Sequence, residues 1–91
     1  MDDKEIRQKI KKARGHLTES TLKSYTYNIL RVHRMAGSFS AKKIEEVFRK
    51  EKLKPSIARA LVNSAIVYKK ATGTKETPDL DKLKSKYDTE F

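Results

Sequence analysis

Two sets of polar side chains recur at helical spacing in this sequence, and both could address the edges of nucleic-acid bases. Thr21, Ser24, Asn28 and Arg31 fall three or four residues apart, along one edge of a helix expected over 19–36. Ser56, Arg59 and Asn63 do the same on a helix that begins near Pro55. On a helix facing a groove, an Arg guanidinium can hydrogen-bond guanine in bidentate fashion, and an Asn amide can do so with adenine. Ser, Thr and Lys more often contact phosphate, which positions a helix without specifying a sequence. The bland reading of each of these side chains is a solvated helix face.

Charge favours an anionic partner. The chain of 91 residues carries 22 Lys and Arg against 12 Asp and Glu, a net charge of +10, with a pI near 9.9. A small domain with a pI above about 9 has the electrostatic footprint of a nucleic-acid binder. Solubility alone needs a net charge of only about 2–8 in magnitude. The excess is also localised. Residues 1–73 hold 18 basic and 7 acidic residues, whereas residues 74–91 hold 4 and 5.

The elements that must position these residues read as five helices. In the first, over about 3–14, Ile6, Ile10 and Ala13 form a stripe continued by Leu17, and Gly15 is the expected C-cap. The second, over about 19–36, has Thr18 as N-cap and Gly37 as terminator. Its expected core stripe is Leu22, Tyr25, Ile29, Val32 and Ala36, widened by Leu30. The third, over about 41–51, follows Ser40 as N-cap and buries Ile44, Val47 and Phe48. Phe39 and Ile44 stand at hydrophobic-staple spacing. The fourth, over about 55–72, carries Ile57, Ala60, Leu61, Ala65 and Tyr68 on one stripe. Val62, Ile66 and Val67 spread its apolar surface, so it is expected at the centre, packed on two sides. Residues 74–79 read as a linker broken by Pro78. A fifth helix over about 80–91 presents Leu80, Leu83, Tyr87 and Phe91, a stripe that either folds back on the bundle or reaches for a partner. No period-two alternation and no hairpin turn is present. The expected fold is all-α: one domain, with a compact basic core of four main helices in 1–73 and a short, loosely attached C-terminal helix.

Several chemistries are excluded. The chain has no cysteine, so disulfides, thiolate metal sites and cysteine nucleophiles are ruled out. His16 and His33 stand alone, and Asp79 and Asp81 read as a capping feature, so no metal site and no cofactor is expected. Gly15, Gly37 and Gly73 read as helix terminators, not as a phosphate-cradling loop. No apolar run reaches the roughly 18 residues of a membrane span, and no signal-peptide core follows Met1. The expected location is intracellular, not secreted, with the DNA.

Leu17-Thr18-Glu19-Ser20-Thr21-Leu22-Lys23-Ser24-Tyr25, followed by Ile29 and Val32, resembles the opening helix pattern of the core-binding domain of tyrosine recombinases and phage integrases. Leu53-Lys54-Pro55-Ser56-Ile57, then Leu61, Ala65, Tyr68 and Gly73, is similar to that domain's last long helix. The order and spacing of the five helices also resemble the Cre-like, SAM-like arrangement, over about residues 3–91. The resemblance implies one half of a C-shaped clamp on duplex DNA, with the second and fourth helices crossed in or over the major groove. Thr21 and Ser24 then match groove-facing positions on the second helix and Arg59 one on the fourth, flanked by Lys23 and Lys54. It also implies that the terminal helix docks on a neighbouring protomer, here through Leu83, Tyr87 and Phe91. One departure is decisive. The family's catalytic domain, with its Tyr nucleophile, paired Arg and His-x-x-Arg motif, has no counterpart here. His33-Arg34 lacks that spacing, and Tyr25, Tyr27, Tyr68 and Tyr87 suit packing. The chain is therefore expected to bind without catalysing, either as a piece of a recombinase or as a free-standing derivative.

Double-stranded DNA is thus the leading partner. Other readings are an architectural DNA-coating protein of a virus or mobile element, and a helical protein-interaction module. RNA binding has only Tyr27 as a stacking candidate. A membrane-surface role for the first helix lacks Trp or Phe on its apolar face.

Overall fold

Local start and stop signals set most of the helix boundaries. The computed structural model describes residues 2–89. Its elements are α1 (Asp3–Ala13), α2 (Glu19–Ala36), α3 (Ala41–Glu51), α4 (Pro55–Ala71) and α5 (Pro78–Thr89), and no strand occurs among the described residues. Asp2 caps α1 by accepting from the Lys4 N–H at 3.2 Å. Thr18 caps α2 by accepting from the Thr21 N–H at 3.2 Å. Gly37 closes α2 in the left-handed region, at φ 72°, donating its N–H to the His33 carbonyl at 2.8 Å. Pro55 opens α4, where its missing N–H is no loss.

Other ends differ from the sequence expectation. Arg14, not Gly15, occupies the C-cap of α1, and its N–H reaches the Ile10 carbonyl at 2.8 Å. Ser40 stands at the N-cap of α3 without a side-chain bond, and α3 ends on Lys52, itself left-handed at φ 55°. Pro78 starts α5 instead of breaking a linker. The Asp81 N–H donates to the Thr77 carbonyl at 2.9 Å, and the Thr77 hydroxyl donates to the Asp81 carboxylate at 3.1 Å. Thr77 is buried, so 74–79 is partly built into the core.

The core has two lobes. Ile6 and Ile10 of α1 meet Leu22 and Ile29 of α2 and Val67 of α4. Val32, Ile44, Phe48, Ala58, Leu61, Val62, Ala65 and Ile66 meet Leu80, Leu83 and Tyr87 of α5. Phe39 packs against both lobes, with its ring centroid 5.0 Å from that of Tyr68. Central α4 contacts α1, α2 and α5.

Three-way packing corrects the sequence stripes. Ile57 and Ala60 face solvent, whereas Ala58 and Ser64 are buried. On α2, Thr26 is buried while Tyr25 and Ala36 are half-buried; Ala13 is exposed and Val47 half-buried. Thr26 and Ser64 tolerate burial because each hydroxyl donates to a carbonyl one turn back, that of Leu22 at 2.8 Å and that of Ala60 at 3.1 Å.

The largest correction concerns α5. It folds back along α4 and α3, and the Tyr87 ring lies 6.1 Å from that of Phe48. It is not loosely attached. Leu83 and Tyr87, expected to face a neighbouring protomer, are buried within this domain; Phe91 lies outside the described residues. The radius of gyration, 12.5 Å, is close to the about 12 Å of a fully compact chain of this length.

Candidate nucleic-acid interface

The two polar edges meet because α2 and α4 pack side by side. Leu22 and Ile29 share a lobe with Val67, near the end of α4. Val32 shares the other lobe with Ala58, Leu61 and Val62, near its start. The helices therefore run in opposed directions. Midway, the Asn28 amide donates to the Ser64 hydroxyl at 3.2 Å. This bond joins the Thr21–Ser24–Asn28–Arg31 edge to the flank of α4 that carries Ser56, Ala60 and Asn63. The two N-terminal turns consequently lie at opposite ends of the contact.

The individual side chains are not equally available. Ser24, Lys54 and Ser56 are exposed and carry no side-chain partner among the described residues; Arg31 and Asn63 are half-buried, also without one. Thr21 is part of the α2 cap, where its hydroxyl accepts from that of Thr18 at 2.9 Å. Asn28 is engaged with α4, so part of its amide is spent on holding the helices together. Arg59 is exposed, but its guanidinium is paired with the Asp88 carboxylate of α5. Lys23 falls on the other side of α2. It lines a groove toward α1 with Asp3, Arg7, Thr26, Tyr27 and Leu30.

Electrostatics distinguishes this surface from the rest of the molecule. Between Glu19 and Glu45, and again between Glu51 and Glu76, the chain has no carboxylate. Those two stretches contain α2 beyond its first residue and all of α4. Arg31, Arg34, Lys54, Lys69 and Lys70 carry no carboxylate partner among the described residues. Asp88 is the one acidic group of another helix that forms an ion pair with α4 among the described residues. In contrast, α1 and α3 neutralise part of their own charge: Lys9 bonds Glu5 at 3.0 Å and Arg49 approaches Glu45 at 3.6 Å, while Arg7 of α1 pairs with Glu19 at the start of α2. The Glu5 hydrogen bond, with Tyr68 nearby, holds the Lys9 ammonium above its usual pKa.

The first turn of α4 suits an anion. It has no acidic residue, its N-cap Lys54 is cationic, and no side chain caps its amides. Unpaired N–H groups and the positive end of the helix dipole both favour phosphate there. Sequence reasoning missed two things about this interface: the Asn28–Ser64 bond and the Asp88 partner of Arg59. Both join residues far apart in the chain, and helical periodicity carries no signal for either. Among the described residues no group of three His, Cys, Asp or Glu lies together, and no helix is long and apolar enough to cross a membrane. In comparisons with family models, curated proteins and solved structures, none matches this chain.

Proposed function

We propose that this chain binds double-stranded DNA through the surface shared by α2 and α4, as a helical module of the integrase core-binding kind. In this reading it serves site-specific recombination or integration, or a free-standing derivative of it, inside the cell where the DNA is. The observation that carries the proposal is the packed α2–α4 pair itself, free of carboxylates beyond Glu19 and lined by unpaired cations. Ser24, Lys54 and Ser56 suit phosphate contacts, which fix position. Arg31, Asn63 and Arg59 are the side chains able to read base edges. The Arg59–Asp88 ion pair is about half exposed on both sides. Such a pair is worth no more than about 1 kcal/mol, so a phosphate or a guanine can replace Asp88. The chain supplies binding and no catalytic chemistry, and needs no cofactor.

The test is a titration of a labelled duplex at two salt concentrations, with Arg59→Ala and Asp88→Asn beside the parent. With about four neutralised phosphates, doubling the salt lowers affinity about tenfold. Arg59→Ala weakens binding, and Asp88→Asn strengthens it. Absence of binding at low salt would sink the proposal. A response to salt without any response to the two substitutions would remove Arg59 from the interface and favour architectural, sequence-independent coating of DNA.

A further inference from the structure

Tyr27 is the most exposed large apolar side chain among the described residues. It is 61% accessible on an 18-residue helix whose other aromatic, Tyr25, is half-buried. Its ring stacks on no other ring of the described residues and its hydroxyl has no partner there. An exposed, unbonded aromatic contributes nothing evident to stability. Its surroundings are chemically specific. Lys23 lies one turn before it and Arg34 two turns after, both exposed and without a partner among the described residues. Thr26 and Leu30 line the mostly apolar floor of the adjoining groove against α1. Arg7, already paired with Glu19, and the Asp3 carboxylate close the α1 end. A phosphate is disfavoured beside that carboxylate, so a polyanionic backbone is directed along the Lys23–Arg34 side.

We propose that this groove holds an unpaired nucleobase of a single-stranded nucleic acid, stacked on Tyr27, with its flanking phosphates on Lys23 and Arg34. A flat ring in an apolar setting between cations is how sequence-tolerant single-strand sites are built. The site lies on the α1-facing side of α2 and borders the Ser24–Arg31 edge, whose residues stand one turn from Tyr27; it does not rest on the duplex reading. DNA and RNA strands share the required chemistry.

The experiment is a fluorescence-anisotropy titration of labelled oligothymidylate and oligouridylate against the parent, Tyr27→Ala and Tyr27→Phe. The same strand built with abasic sites is the control. Tyr27→Ala lowers single-strand affinity on the order of tenfold, in line with the loss of one stacked base. Tyr27→Phe restores it, because stacking needs the ring and not the hydroxyl. The abasic strand binds more weakly and ignores both substitutions. The tighter of the two natural strands identifies the source. Equal binding by parent and Tyr27→Ala overturns the proposal, as does equal binding of abasic and natural strands. Loss in Tyr27→Phe matching that in Tyr27→Ala overturns it too. Circular dichroism checks that both variants keep the parent helix content, as expected at so exposed a position. Duplex titration of the same variants separates the two readings: Tyr27→Ala costs single-strand affinity far more than duplex affinity, and an equal loss on both would overturn a separate single-strand site.

Discussion

The two terminal helices are secured by different means. In sequence α1 has the more regular apolar stripe, yet it fully buries only Ile6 and Ile10, against α2 and α4. The amphipathicity of α5 is weaker. Nevertheless α5 buries Leu80, Leu83 and Tyr87 in the larger lobe, and Thr77 just before it is buried as well. The difference originates in α4. Its Ala58, Leu61, Val62, Ala65 and Ile66 share the larger lobe with Leu80, Leu83 and Tyr87, so α5 docks on a broad apolar surface of α4. Amphipathicity shows which face of a helix turns inward; the partner surface decides how much is buried. The same contrast holds for charge. Lys11 and Lys12 close α1 as exposed cations without an ion-pair partner among the described residues, whereas Asp88 of α5 is paired with Arg59 of α4.

Truncation of the chain before Pro78 is the severest way to break this comparison. It uncovers Leu61, Val62 and Ile66 together, and the expected result is loss of the cooperative thermal transition seen by circular dichroism. If α5 were a loose appendage, the transition would survive. Leu83→Ala comes next, with a destabilisation of about 2–5 kcal/mol in chemical denaturation. That is a large share of the about 5–15 kcal/mol available to a domain. Ile6→Ala belongs to the same range by its own burial, and a much smaller value would show that α1 frays before the rest unfolds. The caps sharpen the contrast at about 1 kcal/mol. Thr77→Ala removes a buried hydroxyl bonded to Asp81 and is expected to cost about 1–2 kcal/mol, more than the exposed Asp2→Ala at about 0.5 kcal/mol. The smallest effect on stability is that of Asp88→Asn, under about 1 kcal/mol, together with tighter duplex binding. A drop in duplex affinity would show that Asp88 orders Arg59 for binding instead of competing for it.

Much of this architecture is legible in single turns of chain. Thr18 and Gly37 bracket α2, and Pro55 opens α4. Pro78 was harder to read, because a proline marks either a break or the first residue of a helix. Thr77 and the apolar surface of α4 select the second. Lys52 adopts a left-handed conformation where a glycine would be expected, and no composition signal precedes it.

The candidate interface was legible only as a set of edges. Spacing alone puts Thr21, Ser24, Asn28 and Arg31 on one side of α2, since rotation per residue is a property of the helix. It assigns no neighbour to that side. Asn28 meets Ser64 across 36 positions of sequence, Arg59 meets Asp88 across 29, and Lys23 turns toward α1. The helices, their caps and the cationic surplus follow from residues within a turn or two of one another and from composition. The pairing of α5 with α4, and the polar groups left available on α2 and α4, follow from which helix lies alongside which, because burial and hydrogen bonding between helices depend on the shape and chemistry of both surfaces at once.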